Sequence, residues 1–145
     1  MKLRMSLGSR MLFQVSLQQQ LNPNSGCMEY EEICDEILKC DKNIRYVGVY
    51  DFGELYEKMR PGLKSYLSIE ETEMSLSQAV YRWSTRKKTV NKIGKPIFAL
   101  AKYEKVYRVT VPIGGAGLIL ISIELDTDVN KVVDKILKIK NKYHQ

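Results

Sequence analysis

The chain reads as an α+β domain: a five-stranded antiparallel sheet with helices packed on its faces. Three observations predict it. Periodic apolar segments follow the order αββαβββα along the sequence. The connections between strand segments are short, which favours antiparallel neighbours. The segments at 97–104 and 118–125 carry apolar residues on both faces. Each therefore needs cover from two sides, from helices divided between the faces or from a partner subunit.

The first helix is expected over Glu29–Cys40. Tyr30, Ile33, Cys34, Ile37 and Leu38 form one stripe, and Glu31, Glu32, Asp35 and Glu36 lie opposite. Cys34 sits on the stripe and reads as a small core residue rather than a nucleophile. Ile44–Asp51 is a Val/Ile/Tyr-rich strand. Phe52-Gly53 turns the chain into a more polar strand over Glu54–Arg60, which Pro61-Gly62 ends.

Ser68-Ile69-Glu70-Glu71 is a capping box, so a long helix should run from Ile69 to about Val90. Its stripe is Leu76, Ala79, Val80, Trp83 and Val90. Gly94 and Pro96 end it. Ile97–Glu104 follows as a strand, with Ile97, Ala99, Ala101 and Tyr103 on one face and Phe98 and Leu100 on the other. Val106–Val111 is the next strand, expected to stop at Pro112. Gly114-Gly115-Ala116-Gly117 makes a hairpin loop into Leu118–Leu125. There Leu118 and Leu120 face one way and Ile119, Ile121, Ile123 and Leu125 the other. Asp126 or Thr127 caps the last helix, whose stripe is Val129, Val132, Val133, Ile136, Leu137 and Tyr143.

The chain has 145 residues, 44% of them hydrophobic and 28% charged, the balance of an ordinary globular domain. No apolar run approaches the roughly 20 residues that cross a bilayer. Residues 1–27 differ from the rest. They hold Lys2, Arg4 and Arg10, no acid, and the breaker-rich Asn22-Pro23-Asn24-Ser25-Gly26. They are expected to be a flexible arm, or Met28 to be the natural start, with residues 28–145 as the single domain. Lys2, Arg4 and Arg10 supply half of the net charge of +6. The remainder is only mildly basic, which weakens any argument for a polyanion partner.

Several chemistries lack their residues. The one histidine is His144, so Ser-His-Asp and Cys-His arrangements are missing from the body of the chain. Cys27, Cys34 and Cys40 form no CxxC pair and fall short of a zinc set. They fit reduced thiols in a cytoplasmic protein. Asp51-Phe52-Gly53 has the letters of the kinase metal-binding tripeptide, without the glycine-rich phosphate loop or the catalytic loop that would give it meaning. The glycines at 114–117 lead into a strand, not a helix, and lack the Lys-Ser/Thr ending of a phosphate loop. No catalytic residue, metal or cofactor is expected, and the chain is read as not an enzyme. Arg82, Arg86, Lys87, Lys88 and Lys92 cluster toward the end of the long helix. They complement the negative end of its dipole; a polyanion patch beside Trp83 is the sharper alternative.

In its succession of elements the chain resembles the Roadblock / dynein light-chain group of profilin-like folds. The resemblance rests on Glu29–Cys40 as first helix, Ile44–Arg60 as first hairpin, Ser68–Val90 as middle helix, Ile97–Leu125 as meander and Val129–Tyr143 as last helix. Ala99, Lys102-Tyr103-Glu104-Lys105 and Val132-Val133-Asp134-Lys135-Ile136-Leu137-Lys138 also resemble a family of small uncharacterised archaeal proteins, which brings no assigned activity. A PAS-like sensor shares the strand order, but has several short helices where one capped helix stands here.

The Roadblock resemblance implies a non-catalytic, homodimeric protein-interaction or scaffold module in the cytoplasm, with a small GTPase or another protein as partner. The alternative is a PAS-like small-molecule sensor, and the third is a weak nucleic-acid binder. The implied strand order, 2-1-5-4-3, puts the 97–104 strand at a sheet edge. Its apolar residues make a poor bare edge. Leu76, Val80, Trp83, Ile97, Phe98, Ala99 and Leu100 are therefore the expected dimer interface.

Overall fold

The computed structural model describes residues 2–3 and 26–143, with side chains from Glu29 onward. Of the expected arm, residues 1 and 4–25 lie outside the described residues, as does His144. A two-residue strand, β1 (Lys2–Leu3), is followed by helix α1 (Gly26–Cys40) and the hairpin of β2 (Ile44–Asp51) and β3 (Glu54–Met59). Helix α2 (Ile69–Arg86) continues through a 3-10 turn (Lys87–Thr89) into the one-turn α3 (Val90–Ile93). The meander is β4 (Ala99–Lys102), β5 (Val106–Ile113) and β6 (Gly117–Glu124), and α4 (Val129–Tyr143) closes the chain.

One sheet runs in the order β1-β3-β2-β6-β5-β4, every neighbouring pair antiparallel. The five expected strands stand in the expected order, and β1 adds to the outer edge of β3 through Lys2 opposite Glu57 and Leu3 opposite Tyr56.

The helices divide between the two faces. On one, α1 and α4 bury Ile33, Ile37, Val132, Val133 and Ile136 against Val47, Val49, Val109, Ile119, Ile121 and Ile123. On the other, Leu76 of α2 packs on Leu55 and Leu120, and Ala79 and Trp83 pack on Leu118. The alternation of β6 thus serves two cores, with its isoleucines on one side and Leu118 and Leu120 on the other. Burial of these branched and aromatic side chains is the main stabilising contribution, on the order of 25 cal/mol per Å² of apolar surface.

Polar contacts fix the frame. Both arms of the capping box form: Glu71 N–H donates to Ser68 Oγ at 3.1 Å and Ser68 N–H to Glu71 Oε1 at 2.9 Å. Arg60 closes the end of α1, donating to the carbonyls of Leu38 at 2.6 Å, Asp41 at 2.8 Å and Ile44 at 2.7 Å. The Leu38 carbonyl lies in the last turn, which lacks partners within the helix, and the same guanidinium also reaches the carbonyls of the chain that leaves it. Glu36 joins α1 to α4 by accepting from Lys142 at 2.6 Å and Tyr143 at 2.5 Å.

Several element boundaries differ from expectation. Helix α1 begins at Gly26, three residues before Glu29 and inside the expected arm, β3 ends one residue early, and β6 begins and ends one residue early. The long helix tightens into a 3-10 turn at Lys87, six residues before Ile93, the last residue of the helical run. Strand β4 is shorter than 97–104, because its ladder with β5 among the described residues runs only from Ala99 to Lys102 before the turn at Tyr103. Strand β5 runs through Pro112 to Ile113. The reason is local: β4 ends at Ala99, opposite Thr110, so Pro112 lies on an open edge where a missing N–H removes no ladder bond. The last helix is capped by Asp128, which accepts from Lys131 N–H through its carboxylate at 3.4 Å and through its carbonyl at 3.1 Å.

Candidate functional site

The edge strand β4 is built to be incomplete. It pairs with β5 on one side, from Ala99 opposite Thr110 to Lys102 opposite Tyr107, and with nothing among the described residues on the other. A tight turn returns the chain, with Tyr103 N–H donating to Val106 O at 2.8 Å. Ile97 is 59% exposed, Phe98 39% and Leu100 40%. The register sets Leu100 beside Val109, on the α1/α4 face, while Ala99 packs toward Ala79, Trp83 and Leu118 on the α2 face. Neither α4 nor α2 extends over Leu100, so this strand presents both unpaired backbone groups and apolar side chains to solvent.

The expected interface residues separate into two groups. Ile97, Phe98, Ala99 and Leu100 lie together at the edge. Leu76 and Trp83 are buried in the chain's own core, and Val80 is half-buried beside them. The stripe that suggested a helix face turned to a partner is the face turned to the sheet. The outward face of α2 instead exposes Met74 and Tyr81, seven residues apart and so on one side of the helix. Sequence reasoning passed over this pair; its spacing was visible, but two residues off a continuous stripe give little signal. Ile93 and Tyr103 add exposed apolar surface on the segments flanking β4.

The basic residues Arg82, Arg86, Lys87, Lys88 and Lys92 are all exposed. The structure gives some of them other partners. Arg86 stacks its guanidinium 5.2 Å from the Trp83 ring centre, and Lys87 Nζ donates to Gly115 O at 3.1 Å. Arg82 and Arg86 line a small cleft of about 80 Å³ with Ala99 and Arg108.

A larger groove, of about 510 Å³, lies on the α2 face between the 60–68 connection and the β4–β5 turn. Its floor is Tyr46, Arg108, Leu120 and Ser122. The Tyr46 ring crosses Gly48, where a Cβ would stand 2.6 Å from the phenol oxygen, so only glycine leaves room for it. Tyr46 Oη donates to Glu57 at 2.9 Å, and burial, then Glu57, holds that phenol well above its ordinary pKa.

At the opposite end of the sheet, Asp51-Phe52-Gly53 forms the β2–β3 turn, with Phe52 at φ 51° and Gly53 at φ 79°. Asp51 accepts from Tyr30 at 2.5 Å, so its carboxylate braces α1 on the hairpin. Cys34 is fully buried and burial pushes its thiol up to about 12, the opposite of an activated nucleophile. No group of three His, Cys, Asp or Glu side chains among the described residues could hold a metal ion. No described helix is long and apolar enough to cross a membrane.

No family model matches the sequence, and no curated protein matches it. Solved structures do match the fold. MglB from Myxococcus xanthus superposes with a TM-score of 0.64 at 14% identity, over 81% of this chain and 94% of that one. A Roadblock/LC7 domain from Streptomyces avermitilis gives 0.60 at 6% identity, over 77% and 92%. The chain has the Roadblock/LC7 fold. An MglB structure described as having a tetrameric arrangement agrees, with a TM-score of 0.62 at 12% identity, over 82% of this chain and 93% of that one. Identities this low carry the Roadblock architecture and no residue of any site.

Proposed function

We propose that this Roadblock-fold chain is a non-catalytic interaction module of the cytoplasm that works as a homodimer and presents a protein-binding surface. The observation that carries the proposal is the bare apolar edge at Ile97, Phe98 and Leu100. Two such edges paired about a two-fold axis would continue the sheet across both chains and cover the exposed side chains. The outward Met74 and Tyr81 of α2 would then meet, or lie beside, their symmetry mates. The tetrameric arrangement of an MglB supports self-association on this fold. The partner class follows from the Roadblock resemblance: a small GTPase, bound by the dimer rather than by one chain.

Leu100→Lys tests the interface, because Leu100 is exposed and its charge would stand unpaired against its mate. The variant is expected to be folded and monomeric in size-exclusion chromatography, while the wild type is dimeric. Equal elution of the two would contradict the edge pairing. Guanine-nucleotide-dependent capture from the native host tests the partner class.

A further inference from the structure

The groove over Arg108 has the size and the chemistry of a ligand site. Helix α2 covers Leu55, Leu118 and Leu120 but leaves the sheet at Tyr46, Arg108 and Ser122 without a helix above it. The space left is about 510 Å³, within the roughly 300–1,000 Å³ of small-molecule sites. Its walls are apolar, from Met59, Leu67 and Val106, and Leu120 adds to the floor.

The 60–68 connection is pinned at the rim. Arg45 donates to Lys64 O at 3.0 Å, and Tyr66 stands with the Arg45 guanidinium 4.5 Å and the Lys105 ammonium 5.4 Å from its ring centre.

The charges at the site are unequal. Arg45 is engaged by Glu124 at 3.0 Å. Arg108 is half-buried at the floor and forms no ion pair among the described residues; its near neighbour is the Tyr103 ring, 6.0 Å away. The one acid among the described lining residues, Glu104, is exposed in the turn at the rim. A guanidinium partly removed from water, without a carboxylate, under apolar walls is complementary to a planar anion with an apolar body. A nucleoside polyphosphate would call for more cations than this floor offers.

We propose that this groove binds a small organic carboxylate, its aromatic or aliphatic body against Leu67, Val106 and Leu120 and its carboxylate on Arg108, with Ser122 as a further hydroxyl partner. The groove borders β4, since Tyr103 and Arg108 also line the small cleft with Ala99, but its own lining comes from one chain and does not require the edge-paired dimer.

The test is a fluorescence titration with anilinonaphthalene sulfonate as probe, competed by phenylpropionate and by decanoate, with amide NMR to locate the contact. Saturable one-site binding is expected, with shifts centred on Leu67, Val106, Arg108 and Ser122. Arg108→Gln should weaken probe and competitor by about tenfold or more at an unchanged melting temperature, and Arg108→Lys should restore part of it. Leu67→Trp, on an exposed connection, should fill the groove and abolish binding. Leu100→Lys should bind as the wild type does, whatever its oligomeric state. Unchanged affinity in Arg108→Gln would overturn the proposal. So would shifts centred on Ala99–Lys102, or no saturable binding of the probe and both competitors. Competition by phenylpropionate alone assigns an aromatic body, and by decanoate alone an aliphatic one.

Discussion

The indole N–H of Trp83 donates to Thr110 Oγ1 at 2.8 Å, tying helix α2 to strand β5 across the otherwise apolar seam with Leu118. The ring supplies apolar area and the hydrogen bond satisfies its polar edge. Trp83→Ala should cost about 3–5 kcal/mol in chemical denaturation. Thr110→Val keeps the shape and strands the indole N–H, so it should cost about 1–3 kcal/mol. A Trp83→Ala protein as stable as the wild type would mean that α2 is held by other contacts.

Phe52 occupies a backbone conformation at φ 51° that suits asparagine or glycine, and its ring is 77% exposed. The side chain gains little there to offset the strain. Phe52→Asn, which makes the turn Asn-Gly, should raise stability by about 0.5–1 kcal/mol. A fall in melting temperature would show that the exposed ring has a packing role.

Glu54 is buried at the start of β3, and burial raises its pKa against the lowering effect of the hydrogen bond it accepts from Tyr56 Oη at 2.6 Å. A carboxyl with a raised folded pKa holds its proton more tightly folded than unfolded. Its contribution is therefore full below the ordinary glutamate range and is lost as pH rises through the raised value. Glu54→Gln should melt higher than the wild type near pH 7, and the gain should shrink toward about pH 4. A gain that grew on acidification would reverse the assigned direction.

A chain beginning at Met28 should melt within about 2–3 °C of the full-length protein, since what it removes from the described structure is the two-residue pairing of Lys2 and Leu3 with β3 and the first two residues of α1, Gly26 and Cys27. A loss of several degrees would assign residues 1–27 a place in the domain.

What could be read from the sequence was what repeats at the period of its own element. The isoleucines and leucines of β6 announced two faces and two layers, and Ser68 with Glu71 announced the start of α2. What the sequence left hidden joins residues far apart in the chain. Arg60 reaches the Leu38 carbonyl in the last turn of α1 and the Asp41 carbonyl just beyond it, and nothing local marks it. The stripe of Leu76 and Trp83 was visible, but a stripe does not say whether its cover is the chain's own sheet or a partner. The groove over Arg108 depends on how much of the sheet α2 leaves open, a matter of helix placement rather than of pattern.

The central claim is self-pairing through β4, and sedimentation velocity of the wild type across the micromolar range tests it most directly. The account predicts a species of twice the 16.8 kDa chain mass that dissociates on dilution. A single 16.8 kDa species persisting at high micromolar concentration would contradict it, and the dimeric scaffold with it.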